Sequence, residues 1–568
     1  MLMLAKRIKE LAEKFSPALY FIILAFFVTW PLWKPGFLFF LDFVVTPNNP
    51  FTIENFISGQ ELWSLFPFRT FFWLLAHILS AQIAQKIILF SFFISAGLVF
   101  FYILPNTMAR WIKCIAATFY VINPFIYERF MVGHIGLLLG YVFVPFTWYY
   151  SSKVFFGGQV DQSRKKRDIF FLILFWTIQS LCTPHYFIIT SVVVLINFIV
   201  KIFSDVFRHV SMRSASISFL QVFSLALFIN SWWILPSVFS ISGPVKSFSP
   251  EHFQAYRASA DEHYGLSLNL LSLYGFWRER TVESNEILLT KNFIPVWPIS
   301  AAIFLIPIFF GLIYLWKKKM FNYLGALVVT GIFVVIFSYG PADNWLGKIN
   351  NFIFLSLPGF RGLRESQKFI SILVFIYAVL IAYGLEFLKM KKKWVYFLIS
   401  CIVFLNIFIF NFKFLWGAAG QVQALQYPRS FIQAEAIFGS DKSDYKILIL
   451  PWHMYLVGHP LAQDRTIVDP APQFFANHTT LYTTNEEMEY AKADSASFEE
   501  KIRYLQQNTD PKFWYEVLKS EGVKYIFITK VQEPQEHGFI YDFLVGNSDF
   551  TLVLQDGYAA LFELSTAK

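Results

Sequence analysis

"FLFFLDFVVTPNNP", residues 37–50, places one carboxylate, Asp42, in a run that is otherwise Phe, Leu and Val. It follows closely on residues 17–33, which are apolar enough to cross a bilayer. A charge so near hydrocarbon is costly unless it works or is paired, so this stretch raises topology and chemistry together.

The rest of the chain settles the solvent. With 56% hydrophobic, 20% aromatic and 15% charged residues, 568 residues are too apolar for a soluble globule. The chain reads as an integral membrane protein. Cys114, Cys182 and Cys401 all lie in apolar runs, so neither a disulfide framework nor a Cys/His zinc spacing is present. The net charge of +9 comes from short basic clusters beside apolar runs, which argues for membrane orientation and against nucleic acid as a partner.

Apolar runs near 17–33, 86–104, 135–152, 169–183, 186–200, 217–237, 293–315, 321–339, 369–388 and 395–415, with a shorter one at 111–122, predict about eleven spans. With a cytoplasmic N-terminus, the clusters Lys6/Arg7/Lys9/Lys14, Arg110/Lys113, Lys153/Arg164/Lys165/Lys166/Arg167, Lys201/Arg208/Arg213, Lys317/Lys318/Lys319 and Lys389/Lys391/Lys392/Lys393 all fall inside. The C-terminus then lies outside. The expected fold is a polytopic α-helical membrane protein: a transmembrane domain over 1–415 and an extracytoplasmic α/β domain over 416–568. Interfacial helices are expected at 34–85 and a large outer loop at 238–291. In the C-terminal part, "YKILILPW" (445–452) and "VKYIFIT" (523–529) read as buried strands, and 550–564 as a hairpin turning at Asp556-Gly557 in a type I′ turn. The expected location is the plasma (inner) membrane.

The remaining unusual polar groups gather on the outer side of this topology. Flanking aromatic surface should partly desolvate Asp42 and make it a better proton acceptor than a free aspartate; the plainer alternative is a carboxylate that ends the span. "NPFIYERFMVGHIGLLLGY" (123–141) sets Glu128, Arg129 and His134 around a short outer turn, either to bind a polar substrate or as an ion pair with an interfacial anchor. His185 in "TPHYF" (183–187) sits at the outer end of a helical hairpin. In "PGFRGLRESQKF" (358–369), Arg361, Arg364 and Lys368 are spaced to share one helical face, so three cations would converge on an anion such as phosphate, with Glu365 among them. No P-loop, dinucleotide fingerprint, G-x-S-x-G or H-E-x-x-H occurs.

An acid after the first span, a second acidic outer turn and a C-terminal extracytoplasmic domain resemble the GT-C superfamily of glycosyltransferases that use polyprenyl-phosphate-linked sugars. "NPFIYERFMVGHIGLLLGYVFVPF", "SWWILP", "FRGLRESQKF" and "GVKYIFIT" further resemble YfhO-like membrane proteins and the GT-C portion of arabinofuranosyltransferases. The resemblance implies sugar transfer from a polyprenyl-phosphate donor to a glycan, lipid or protein acceptor at the outer face. Asp42 and Glu128 are its catalytic candidates, with Asp42 as general base; Arg129, His134, His185, Arg361, Arg364 and Lys368 are its substrate-binding candidates. Many GT-C enzymes carry paired acids such as Asp-x-Asp. Here Asp42 has apolar neighbours and the second loop offers Glu-Arg, so Mg²⁺ or Mn²⁺ stays an open alternative to no metal. The competing classes are a lipid-linked-sugar flippase or small-solute transporter, and a non-catalytic scaffold. A carrier would place ionisable groups near the bilayer midplane and at both gates.

Overall fold

The computed structural model describes residues 2–51, 53, 62–157, 162–239, 249–280, 287, 289–341, 345–357, 360–482, 511–530 and 534–565; for residues 2–14 the backbone alone is described, so the side chains of Lys6, Arg7, Lys9 and Lys14 lie outside it. Parts of the expected interfacial segment (52 and 54–61) and of the large outer loop (240–248, 281–286 and 288) also lie outside it.

The chain is a multi-pass membrane protein. Among the described residues, seven helices are long and apolar enough to cross a bilayer: Phe15–Trp33, Ala81–Ile103, Pro184–Phe207, Trp297–Lys317, Phe321–Ser338, Ser366–Lys391 and Lys393–Phe410. Arg213–Ile229 and Ser231–Phe239 make an eighth if they are one span bent by 75°. The bend falls at Asn230, whose amide turns back to the Ala226 carbonyl at 2.8 Å. The other expected spans are helical too, but differ in kind. Arg110–Val121 has 12 residues, and 135–152 is split into Ile135–Tyr141 and Val144–Phe156. Gln162–Cys182 opens on four consecutive basic residues. The first two are largely buried within the bundle, where neighbouring helices rather than lipid surround them and full span length is not required.

Ser366–Lys391 is the central helix, with 89% of its apolar window buried against 28–50% for the six others. A helix apolar on all sides belongs in a core. Trp297–Lys317 packs closely on it: a Cβ on Gly384 would lie 1.9 Å from the Pro307 carbonyl oxygen, so only glycine admits this approach.

After the last span the chain forms a five-stranded sheet in the order β6 (Thr480–Leu481), β3 (Lys446–Leu450), β7 (Val523–Thr529), β9 (Ala559–Leu564), β8 (Phe550–Gln555). The pairs β3–β6 and β3–β7 are parallel; β7–β9 and β8–β9 are antiparallel. The two strands expected at 445–452 and 523–529 are thus neighbours in register, Ile447 opposite Tyr525 and Leu450 opposite Ile528. The hairpin of 550–564 is present, but its turn is not type I′, since neither Asp556 nor Gly557 has positive φ. Instead Asp556 Oδ1 accepts from the amides of Tyr558 (2.7 Å) and Ala559 (3.0 Å), a side-chain-organised turn.

Two further ribbons join this region to the loop after the first span. β1 (Phe37–Leu38) pairs antiparallel with β2 (Ala424–Leu425), and β4 (Tyr455–His459) pairs antiparallel with β5 (Arg465–Val468). The Val468 amide donates to the Leu41 carbonyl at 2.9 Å. On its other side the loop is held by Gln85, whose side chain accepts from the Leu38 amide (2.9 Å) and donates to its carbonyl (2.7 Å).

Candidate active site

Residues 37–48 run between the transmembrane bundle and the sheet region, with a bend at Leu41 and Asp42. Leu41 and Phe43 are buried, while Asp42 faces out with 28% of its side chain exposed. The expected desolvation by aromatic neighbours is therefore not what surrounds it. Polar partners hold it instead: His134 Nε2 lies 2.9 Å from Oδ2, and the Tyr455 phenol donates to Oδ1 at 2.9 Å.

The turn at Gly133 supplies His134. Asn123 caps the helix Pro124–Val132, accepting from the Ile126 amide at 3.1 Å. Gly133 ends that helix at φ +80°, where a Cβ would fall 2.7 Å from the Phe40 Cβ. This left-handed glycine lets the turn lie against the 40–43 segment, and the Asp42 amide donates to the Val132 carbonyl at 2.8 Å. Arg129 Nη1 is 3.3 Å from His134 Nδ1. A guanidinium only donates, so Nδ1 accepts and the proton sits on Nε2, aimed at Asp42.

From Arg129 the network runs inward. Its guanidinium, wholly buried, pairs with Glu365 and donates to Gln367 Oε1, and lies 4.6 Å from the Phe276 ring centre. Lys368 Nζ reaches Glu365 Oε1 at 3.1 Å. His185 Nε2 is 3.0 Å from the Gly362 carbonyl and 3.3 Å from Lys368 Nζ. The carbonyl only accepts, so Nε2 is the donor there and the lysine approaches without a hydrogen bond. Burial alone would raise the Glu365 carboxyl, but the charges of Lys368, Arg129 and Arg364 outweigh it and hold it well below the usual carboxylate range.

A second branch passes from Gln367, whose Nε2 donates to Glu128 Oε2 at 3.2 Å. Glu128 is fully buried, and its Oε1 has no partner donor among the described residues. Beyond it Glu279 pairs with Lys291 and accepts from Asn269 Nδ2 at 2.9 Å. Burial raises the Glu279 carboxyl, yet Lys291 and the hydrogen bonds of Glu128, Lys291 and Asn269 bring it below its ordinary range.

Six of the eight sequence candidates thus meet in one network: Asp42, His134, Arg129, Glu128, Lys368 and His185. Arg361 and Arg364 do not share a helical face with Lys368. The chain makes two 3₁₀ turns, Phe360–Leu363 and Ser366–Phe369, with Arg364 and Glu365 between them. Residues at i and i+3 eclipse in such turns, which sets Lys368 on Glu365 and turns it inward. Arg361 and Arg364 remain half-buried, and the Arg364 guanidinium lies 4.5 Å from the Tyr256 ring centre. The structure adds Tyr455, Gln367, Glu279 and Lys291, which sequence reasoning missed. Only Gln367, a polar side chain at the start of a span, carried a sequence signal. Among the described residues, no group of three or more His, Cys, Asp or Glu is placed to hold a metal ion. An apolar cavity of about 610 Å³ is lined by Trp63, Phe66, Pro67, Leu181, Trp232 and Pro236, none of them a candidate site residue; Leu181 and His185 lie on either side of the helix break at Thr183.

These features define a fold of the GT-C type. The solved structure of arabinofuranosyltransferase AftD from Mycobacteria superposes with a TM-score of 0.60 at 10% identity, covering 97% of this chain and 42% of that one. The chain therefore spans less than half the length of that protein. Archaeal oligosaccharyltransferase AglB from Archaeoglobus fulgidus, in complex with an inhibitory peptide and a dolichol-phosphate, reaches a TM-score of 0.49 at 13% identity over 94% of this chain and 71% of its own. ArnT from Cupriavidus metallidurans bound to undecaprenyl phosphate reaches 0.45 at 11% identity over 97% of this chain and 98% of its own. These two likenesses are too loose to define the fold. No protein-family model matches the chain, and no curated protein matches it by sequence.

Proposed function

We propose that this chain is a membrane glycosyltransferase that moves a sugar from a polyprenyl-phosphate-linked donor to an acceptor hydroxyl at the outer membrane face, with Asp42 as general base. The observation that carries the reading is Asp42 itself: an accessible carboxylate, clamped by His134 and Tyr455, at the rim of a buried cationic network. A GT-C-type fold shared with an arabinofuranosyltransferase supports the reaction class.

Asp42 takes the acceptor hydroxyl proton as that oxygen bonds to the anomeric carbon. The bond from that carbon to the phosphate oxygen breaks, and its electron pair stays on the polyprenyl phosphate. Arg361 and Arg364 meet that developing charge, which stabilises the transition state more than the ground state. Lys368, offset by Glu365, adds to the positive field from beneath. His134 uses both ring nitrogens, so it positions Asp42 and does not compete as base. Glu128 is too deep to touch a sugar and acts through Gln367 and Arg129. The apolar cavity beside the His185 hairpin suits a prenyl tail, which can then stay in the bilayer.

The test is transfer by purified protein from a panel of polyprenyl-phosphate pentoses and hexoses to oligosaccharide acceptors. Asp42→Asn is expected to lower kcat at least about a hundredfold, the lower end of general-base contributions. Equal transfer by wild type and variant would remove Asp42 from the base role.

A further inference from the structure

The geometry points to Tyr455 as a positioning residue for Asp42, so that the reaction centre is built jointly by the first outer loop and the region beyond the last span. This rests on the glycosyltransferase reading above. The two oxygens of Asp42 take one donor each from distant parts of the chain: His134 on Oδ2 and the Tyr455 phenol on Oδ1, both at 2.9 Å. The terminal torsion of an aspartate is broad and roughly two-fold, so a single donor would leave the carboxylate free to rotate. Two donors on separate oxygens fix its plane. Each oxygen keeps a second lone pair, and with the plane fixed each free lone pair holds a fixed direction, which is what a base needs to meet a hydroxyl in near-attack geometry.

Tyr455 is itself held. It opens β4, opposite Val468 of β5, and the Val468 amide donates to the Leu41 carbonyl, next to Asp42, at 2.9 Å. Arg465 Nη2 of the same ribbon donates to the Phe39 carbonyl at 3.2 Å. The Tyr455 ring packs with Trp277 on the small cluster of Leu41, Val132 and Phe276. One ribbon therefore fixes the backbone before Asp42 and the side chain of Asp42 at once. The Tyr427 hydroxyl, by contrast, donates to the Val45 carbonyl at 3.0 Å and leaves the carboxylate untouched.

Tyr455→Phe removes one oxygen and keeps the packing. It is expected to lower kcat about ten- to a hundredfold, as for loss of a hydrogen bond to a charged group, with KM for donor and acceptor within about twofold of wild type because ground-state binding is untouched. Tyr427→Phe, which loosens the same loop without touching Asp42, is expected to keep kcat within about threefold. A second measurement needs no turnover: in the full-length protein, Asp42→Cys/Tyr455→Cys is treated with a short bismaleimide and the joined peptides are identified by mass. An active wild type with no kcat defect in Tyr455→Phe, an equal defect in Tyr427→Phe, a defect confined to KM, or no cross-link overturns the positioning role alone. A wild type inactive with every donor, although the cross-link forms, overturns the enzyme reading and the catalytic role with it, leaving the contact standing.

Discussion

Glu128 sits where water cannot reach it, and its oxygens are unequally served: Oε2 accepts from Gln367, whereas Oε1 has no donor among the described residues. A buried charge without partners is expensive. Burial, and next the charge and hydrogen bonding of Glu279, push Glu128 well above its ordinary pKa, and the opposing pull of Arg129 and Lys291 does not reverse this. A proton on Glu128 lets this carboxyl donate toward Glu279. Because the folded-state value is raised, the stabilisation is complete at low pH and is lost as pH rises through that value. Glu128→Gln keeps the shape, the acceptor toward Gln367 and a donor toward Glu279. Its unfolding in detergent is expected to stay within about 1 kcal/mol of wild type at acid pH, where both side chains are uncharged, about one hydrogen bond, and to decline less than wild type as pH rises. A glutamine variant that loses stability as steeply as wild type would show that Glu128 is not the titrating group. Glu128, Arg129, His134 and Lys368 were legible in the sequence because each is a charge or imidazole where apolar residues dominate. Glu279, Lys291 and Tyr455 were not, because they lie in segments of mixed composition where such residues are common.

Elements, more than single residues, decide whether these groups meet, and here spacing alone misled. Arg361, Arg364 and Lys368 fit an α-helical face on paper. The two 3₁₀ turns before Ile370 follow from long-range partners instead: Glu365 reaches inward to Arg129, 236 residues away in the chain, and draws Lys368 with it. No local pattern encodes that choice. The turn after Pro124–Val132 is another case, in which the spacing of Glu128, Arg129 and His134 was visible but the role of Gly133 between them was not. Gly133→Ala forces an L-residue to φ +80° and sets its Cβ 2.7 Å from the Phe40 Cβ and 2.8 Å from that of Phe43. Left-handed backbone costs about 1–2 kcal/mol, and overpacking about 1–3 kcal/mol more. The variant is expected to unfold at a lower temperature in detergent and to lose transfer activity at temperatures where it remains folded, since the clash displaces the segment carrying Asp42. Wild-type unfolding and activity in Gly133→Ala would mean that helix end and loop do not touch.

Across the whole molecule, three spans share one polarity. Ser366–Lys391 begins at Lys368 in the site and ends at Lys389 and Lys391. Pro184–Phe207 begins at His185 and ends near Lys201 and Arg208. Trp297–Lys317 starts shortly after Lys291 and runs into Lys318 and Lys319. At 26 residues the first of these is about 39 Å long, more than the ~30 Å hydrocarbon layer, so the site and the lysine clusters stand at opposite membrane faces. The positive-inside rule then predicts that the site, and the sheet region bonded to it through Tyr455, faces away from the cytoplasm. Membrane-impermeant maleimide checks this in cells, with Cys114, Cys182 and Cys401 replaced by serine and one exposed position changed at a time. Ser440→Cys, on the helix Arg429–Ser440 beside the sheet, is expected to react in intact cells; Lys166→Cys, in the basic start of Gln162–Cys182, is expected to react only after permeabilisation. The reverse pattern would turn the molecule over. Asp42 would then face cytoplasmic acceptors, and a lipid-linked donor presented outside could not reach it, since the contact between Tyr455 and Asp42 ties the side of the sheet to the side of the reaction.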